Sequence, residues 1–271
     1  MTDTAVRPVR TRPGGLLHRH PVAVFAAGAI GPTWAVHFLF LAMGWEIVGA
    51  LVLELVFLLV SATVVTARLE GRAGLRRLFA GAVRWRFGWG RFAVALLAMP
   101  LLTVLIAAAT GSLRTPGGGW GNEVLTYLLM TLLVGAVLGN VWEETAWAGF
   151  AQRRLMDRYG LLKGSMLTAI PFAMIHLPMG FDEHGLTGTG WSDLAITWTV
   201  LIVSAPIFRY LFGTALIDTG GSVLAVAVLH ASFNGAQALA SVHGEWQVGV
   251  ALLALTALTV AQRRRQGRSA V

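Results

Sequence analysis

The stretch VLTYLLMTLLVGAVLGNVWEETAWAGF covers residues 124–150 and joins an apolar segment to two adjacent glutamates. Its apolar part is long enough to cross a bilayer, which needs about 20 such residues. Glu143 and Glu144 stand at the end of this run, where burying each ionisable side chain in lipid costs about 3 kcal/mol or more. We therefore expect a transmembrane helix whose glutamates belong to a functional site.

The composition of the whole chain indicates a lipid environment. The 271 residues are 56% hydrophobic and 13% charged, whereas soluble domains have about 25% charged residues. The net charge of +8 would suggest nucleic acid in a soluble protein, but in a membrane protein it records orientation, so we expect no nucleic-acid partner. The chain has no cysteine, which excludes disulfides, thiolate metal ligands and thiol nucleophiles.

Apolar runs of membrane-spanning length recur along the chain and predict an all-α fold, a polytopic transmembrane helix bundle of about eight spans. The predicted spans cover residues 22–44, 47–67, 92–110, 124–146, 161–180, 194–213, 221–241 and 246–261. We expect one transmembrane domain over residues 22–261, with basic cytoplasmic tails at 1–21 and 262–271.

The basic residues support this count of spans. They cluster in the N-terminal tail, in the connections at residues 68–91 and 153–163, and in the C-terminal tail. With eight spans all four clusters fall on one face, so positive-inside bias predicts that both termini are cytoplasmic. The arginine and alanine bias is typical of a GC-rich bacterial genome, so we expect a bacterial plasma membrane. The basic-aromatic segment from Gly74 to Phe92, which contains Trp85, Phe87 and Trp89, is interpreted as an amphipathic stretch on the cytoplasmic interface.

Further polar groups occur in other spans and could meet the glutamates. His176 ends PFAMIH in the fifth span, and His230 precedes Asn234 by four residues in the seventh, so these two share a helix face. Two imidazoles, a carboxylate and an amide suit Zn²⁺. The same groups suit a metal-free scheme in which a glutamate takes a proton from water while histidine or amide donors stabilise an oxyanion.

Other polar residues in the spans have a structural interpretation. Each histidine taken alone could simply bond a backbone carbonyl, and His37 is expected to be structural. We expect Glu54, in the middle of the second span, to be the structural partner of an arginine. Arg209 and Asp218, near the turn between the sixth and seventh spans, are expected to pair with each other.

Three of these motifs, in this order, resemble the CAAX prenyl protease and bacteriocin-processing family of intramembrane proteases, the CPBP or Abi family. They are the double glutamate in EETAWAGF, FAMIH ending at His176, and HASFN from His230 to Asn234. The resemblance implies a protease core at about residues 124–241. It also implies that Glu143 is the water-activating base or a metal ligand, with His176 as its partner. His230 and Asn234 would be a second ligand pair or the oxyanion donors.

One position departs from the family pattern. The family has an arginine four residues after the second glutamate, where this chain has Ala148. In the family that arginine is thought to pair with the second glutamate. Glu144 therefore needs another partner or is protonated, and we expect Arg153 or Arg154 to serve, with Glu144 less critical than Glu143.

These observations predict an intramembrane endopeptidase that hydrolyses a peptide bond with an activated water. Glu143, Glu144, His176, His230 and Asn234 would form its site, and all of these except Glu144 would ligate Zn²⁺ if a metal is bound. The expected partners are the lipid bilayer and a peptide or membrane-anchored protein substrate. One alternative is a catalytically silent membrane protein that confers bacteriocin immunity by binding. Another is a proton-coupled transporter, which internal inverted repeats would favour.

Overall fold

A computed structural model of the chain describes residues 15–182, 184–244 and 246–267. Over these ranges the polypeptide is helical and contains no β-strand, only one isolated bridge between Leu113 and Val242. The predicted all-α class is therefore confirmed. Most of the predicted tail at residues 1–21, with its arginines before residue 15, lies outside the described residues, as do Glu183, Glu245 and the last four residues.

The helices follow one another with short connections. The α-helices are α1 (Leu16–Arg19), α2 (Pro21–Met43), α3 (Val48–Ala82), α4 (Trp89–Ala109), α5 (Gly119–Leu129), α6 (Val141–Glu144), α7 (Arg153–His176), α8 (Gly185–Gly188), α9 (Trp191–Asp218), α10 (Val223–Gln237) and α11 (Trp246–Arg265). Two π-helical segments, π1 (Met130–Asn140) and π2 (Thr145–Gln152), flank α6, and a 3₁₀ turn (Leu177–Phe181) follows α7.

The apolar helices identify an integral membrane protein. Among the described residues, five helical stretches are long and apolar enough to span a bilayer: Pro21–Met43, Val48–Ala82, Trp89–Ala109, Gly119–Phe181 and Trp191–Asp218. A shorter apolar helix covers Val223–Gln237. Every predicted span overlaps a helix, whereas the total of eight crossings and the side on which the termini lie stay predictions.

The longest stretch consists of two helices that turn back on each other. Gly160 interrupts α7 with a φ of 78°, a left-handed conformation that glycine adopts without a Cβ clash. A Cβ added at Gly164 would meet the backbone of Met156 at 2.6 Å, so the chain packs against itself around this turn. The turn falls between the predicted fourth and fifth spans, as expected from the sequence.

Helix α3 consists of two parts separated at Gly71, whose φ of 60° and ψ of −154° are not helical. The first part, residues 48–70, is about 34 Å long at 1.5 Å per residue, close to the ~30 Å hydrocarbon core. Residues 74–82, expected on the membrane interface, lie in the second part, after the break. In the connection that follows, Trp85 and Trp89 are exposed, but Phe87 is buried. Phe87 therefore packs inside the protein and does not contact lipid.

Helix α10 is the centre of the bundle. It contacts α4, π1, α6, α9 and α11, and most of its side chains are buried. Ser222 caps its N-terminus by accepting a hydrogen bond from the Ala225 amide at 3.1 Å. Small residues allow close packing here, since a Cβ on Gly135 of π1 would lie 2.9 Å from the Ala231 methyl group. The position of α10 brings His230 next to the two glutamates.

Candidate active site

The two glutamates lie on the short helix α6, between the two π-helical segments. π-helical turns occur often at functional sites, because they shift side chains relative to an α-helix. Glu143 is 7% exposed and Glu144 is completely buried. The Asn140 side-chain amide donates a hydrogen bond to Glu143 Oε2 at 3.1 Å. Glu143 Oε1 has no hydrogen-bond partner within the described part of the chain.

Glu144 is held by a buried arginine from another helix. Arg209 Nη1 of α9 donates to Glu144 Oε1 at 3.1 Å and to Glu144 Oε2 at 3.0 Å. Both side chains have no exposed surface. The expectation that Arg153 or Arg154 pairs with Glu144 is wrong. Arg154 bonds Glu70 and the Phe150 carbonyl instead, because it lies at the start of α7, more than two turns after Glu144.

Arg209 makes further contacts that exclude its predicted partner. Its Nε donates to Gln152 Oε1 at 2.9 Å. Asp218 is paired with Arg263 at 3.3 Å, so the predicted Arg209–Asp218 pair is wrong. Asp218 lies nine residues after Arg209 on α9, more than two turns away, and cannot reach it along the helix.

Hydrogen bonds fix the ring orientation of both histidines. His176 Nδ1 is 2.7 Å from the Phe172 carbonyl oxygen, which only accepts, so Nδ1 carries the proton. His230 Nδ1 is 2.9 Å from Glu144 Oε1 and by the same reasoning donates to that carboxylate. In the neutral imidazole the other nitrogen, Nε2, then holds a lone pair. Each histidine therefore has an acceptor left for a further partner.

Aromatic rings surround the two imidazoles. The Phe172 ring lies 4.7 Å from the His176 ring, centroid to centroid. Phe208 and Phe212 each lie 5.2 Å from the His230 ring. These rings limit the movement of both histidines and keep bulk water away from the carboxylates, which strengthens electrostatic interactions within the site.

A cavity of about 400 Å³ opens beside these groups. Its polar lining consists of Glu54, Asn140, Glu143, His176, Ser204, His230 and Asn234, and its other walls are apolar. The fold thus brings four of the five predicted site residues to one cavity. The fifth, Glu144, lies behind the wall and reaches the cavity only through His230.

Glu54 lines this cavity as well, contrary to its predicted role. Glu54 Oε1 is 4.0 Å from His176 Nε2, so its ion-pair neighbour is a histidine and not the expected arginine. Its side chain is 6% exposed, and Oε2 has no hydrogen-bond partner among the described residues. The position of α3 across the cavity from α7 explains the difference, since Glu54 faces the site and not the lipid.

The site contains groups that could hold a metal ion. Glu143, Glu144 and His230 each have a ligand atom within 4.8 Å of the others. Glu144 is a poor ligand, however, because Arg209 and His230 occupy its oxygens. His176 Nε2 lies 3.8 Å from Glu143 Oε1. Two ligands of a tetrahedral zinc ion, at about 2.0–2.1 Å from the metal, come within about 3.4 Å of each other, so this pair fits the ion after a small movement.

Comparison with known proteins agrees with the motifs. Residues 125–236 match a family described as Rce1-like, type II CAAX prenyl endopeptidase. No curated protein matches the chain. The family match confirms the predicted resemblance to the CPBP intramembrane proteases, and it covers both glutamates and both histidine motifs. The chain is an integral membrane protein whose residues 125–236 are similar to the type II CAAX prenyl endopeptidases.

Sequence reasoning missed two polar residues of the site, Asn140 and Gln152, and assigned the wrong partners to Arg209 and Glu54. Arg209 carried a usable signal, because an arginine within an apolar span requires a buried partner. The sequence did not show which carboxylate that partner was, since Arg209 and Glu144 are 65 residues apart.

Proposed function

We propose that the protein is an intramembrane endopeptidase that hydrolyses a peptide bond with a water activated by Glu143. The observation that carries this proposal is the pair of acceptors formed by Glu143 Oε1 and His176 Nε2, which face each other at 3.8 Å. This distance is too long for a direct hydrogen bond, and a water about 2.8 Å from both atoms could donate one proton to each. Its lone pair would then be free to attack a carbonyl carbon.

Each step of the proposed hydrolysis uses groups on the cavity wall. The water oxygen forms a bond to the carbonyl carbon while its proton passes to the Glu143 carboxylate. Asn234, whose side-chain amide has N–H donors, would stabilise the oxyanion that forms. The C–N bond then breaks, and the leaving nitrogen takes the proton from Glu143. The products are a new carboxylate and a new amine.

The same residues fit a zinc-dependent version of the reaction. Glu143, His176 and His230 would hold the ion, with Asn234 as a further oxygen ligand. Their hydrogen bonds to Asn140, Phe172 and Glu144 use one atom of each side chain and leave a second nitrogen or oxygen of each as the ligand. A bound zinc ion would supply a Lewis acid and lower the pKa of the attacking water.

The apolar cavity walls favour a substrate that enters from the bilayer. Leucine and phenylalanine side chains of α3, α9 and α10 form much of the apolar lining. A peptide with an apolar segment or a lipid-modified cysteine next to the scissile bond would suit this surface. For a bacterial chain, we propose an unmodified peptide or a membrane-anchored protein.

The convergence of Glu143, His176, His230 and Asn234 on one cavity supports hydrolysis over silent binding or transport. Two fluorogenic peptides, one with an S-farnesylated cysteine before its last three residues and one unmodified, should be assayed with purified protein in lipid nanodiscs. We expect cleavage of at least one peptide and its loss in Glu143→Gln. Cleavage retained in Glu143→Gln would contradict the proposed mechanism.

The metal question needs a separate measurement. Elemental analysis and chelation of the same nanodisc sample would decide it. Stoichiometric zinc, together with cleavage that is lost on chelation and restored by zinc, supports the metal scheme. Undiminished cleavage by metal-free protein supports the glutamate scheme.

A further inference from the structure

Arg209 is a buried cation that lies next to the site but outside the cavity. It lies in the C-terminal half of α9 and has no exposed surface. Its guanidinium lies 5.0 Å from the Phe172 ring centroid and 5.1 Å from that of Phe212. These rings pack against the guanidinium, and its N–H groups donate hydrogen bonds to Glu144 and Gln152. Its orientation is therefore fixed on every side by residues near the catalytic groups.

Gln152 completes the support of this arginine from the glutamate helix. Its Oε1 accepts from Arg209 Nε, and its Nε2 donates to Ser165 Oγ at 3.2 Å. Gly213, one turn after Arg209, makes room for the amide, because a Cβ at Gly213 would lie 2.6 Å from Gln152 Nε2. The missing side chain at Gly213 thus lets Gln152 of π2 come close enough to α9 to bond Arg209.

The contacts continue from Arg209 to His230. Arg209 Nη1 binds both oxygens of Glu144, and Glu144 Oε1 accepts the His230 Nδ1 proton at 2.9 Å. Because Nδ1 keeps this proton, the Nε2 lone pair of His230 remains available on the cavity side. The charge of Arg209 keeps Glu144 ionised and in place, and so determines the tautomer and orientation of His230.

We propose that Arg209 is a positioning residue for peptide hydrolysis, acting through Glu144 on His230. Arg209 contacts Glu144 from α9. An arginine at position 148 would contact Glu144 from the helical segment that follows α6, and this chain has the fully buried Ala148 there. This inference rests on the proposed function for its effect on cleavage, but its effect on His230 is independent of any substrate.

Activity measurements test the effect on cleavage. Arg209→Met keeps an unbranched apolar stem but removes the guanidinium and its charge, and we expect kcat to fall about 10–100-fold with little change in KM, as for other groups that orient a site residue. Arg209→Lys keeps the charge but loses the planar guanidinium whose N–H groups contact both Glu144 and Gln152, so its kcat should lie between those of Arg209→Met and wild type. The matched control is Arg263→Met, another buried arginine with a carboxylate partner, which should keep wild-type kcat.

Relocating the charge separates positioning from general stability. In the double variant Arg209→Met/Ala148→Arg the new arginine lies one turn after Glu144, where residues four apart on a helix are neighbours. We expect it to recover most of the kcat lost in Arg209→Met. If Arg209→Met does not fold, Arg209→Lys and the double variant carry the comparison.

A spectroscopic measurement tests the inference without substrate. Protein labelled with heavy nitrogen in histidine, with the His230 signals assigned from His230→Gln, reports which ring nitrogen is protonated. We expect His230 to be protonated at Nδ1 in wild type, in mixed tautomers in Arg209→Met, and again at Nδ1 in the double variant. An unchanged His230 tautomer in Arg209→Met would overturn the positioning role. If wild type cleaves no peptide, the proposed function fails, while this comparison still decides the role of Arg209.

Discussion

The pair formed by Arg209 and Glu144 should couple strongly in stability, because both side chains are completely buried. Glu144→Gln leaves Arg209 as an unpaired buried cation, and Arg209→Met leaves Glu144 with His230 as its remaining partner. Breaking a buried pair by removing one member costs about 3–5 kcal/mol, and removing the second member as well should add little to that cost. We therefore expect the free energy of unfolding of Glu144→Gln/Arg209→Met to fall by much less than the sum of the decreases in the two single variants.

The size of the coupling follows from the contact geometry. Arg209 Nη1 lies 3.0–3.1 Å from the Glu144 oxygens, which puts the charge centres roughly 4 Å apart. Two unit charges at that separation attract by about 4 kcal/mol at an effective dielectric constant near 20. The interaction energy in the double-mutant cycle should therefore be about 3–4 kcal/mol.

Reversible unfolding in mixed micelles gives the four free energies of unfolding that the cycle needs. A matched control is the pair of Glu70 and Arg77, with a contact of 2.8 Å but side chains 33% and 65% exposed. That pair should couple by less than about 1 kcal/mol. If Arg209 and Glu144 coupled as weakly as the control pair, the two groups would not form a buried ion pair and the expectation would be wrong.

Three other predictions follow from the structure. Glu54→Gln should lower kcat several-fold without unfolding the protein, since Glu54 lies 4.0 Å from His176 Nε2; unchanged kinetics would show that Glu54 plays no part. Burial raises the pKa of Asp182 to about 6, so the folded state keeps a proton that the unfolded chain releases, and stability falls as pH rises from about 4 to about 6. Asp182→Asn should make Tm depend less on pH over this range, and an equal dependence in both proteins would contradict the prediction. Topology reporters fused at Arg114 and Arg264 should report outside and inside the cell, respectively, and an external signal at Arg264 would disprove the eight-span topology.

Much of the helical architecture could be predicted from the sequence, because long apolar runs have few alternatives in lipid. The run at 92–110 was found as Trp89–Ala109, and that at 194–213 as Trp191–Asp218. The break at Gly71 could not be predicted in this way. Hydropathy falls where the arginines begin, but it does not show at which residue the backbone leaves the helical conformation.

The cavity residues were predictable from short motifs, but their supporting contacts were not. Residues four apart, such as His230 and Asn234, share a face in any helix. The partner of Glu144 depends on how α9 packs against α6, and local spacing contains no information on that packing. Arg209 supplies the arginine contact that is absent at position 148, which removes the reason to expect Glu144 to be less critical than Glu143. Because the charge of Glu144 orients His230, we now expect Glu144→Gln to lose most activity as well.

The sequence also misassigned Glu54, for a similar physical reason. A carboxylate in an apolar span needs a polar neighbour, and an arginine is a common one. Which face of α3 it occupies relative to α7 is a matter of helix rotation, and the bundle turns Glu54 toward His176.

The most direct test of the central claim is the origin of the oxygen in the new carboxylate. Cleavage in heavy-oxygen water, followed by mass spectrometry of the product, shows whether the peptide bond is broken by water. We expect one heavy oxygen in the carboxylate of every product molecule formed by wild type, and no product from Glu143→Gln. Product formed by Glu143→Gln at the wild-type rate, or product without heavy oxygen, would contradict water activation by Glu143.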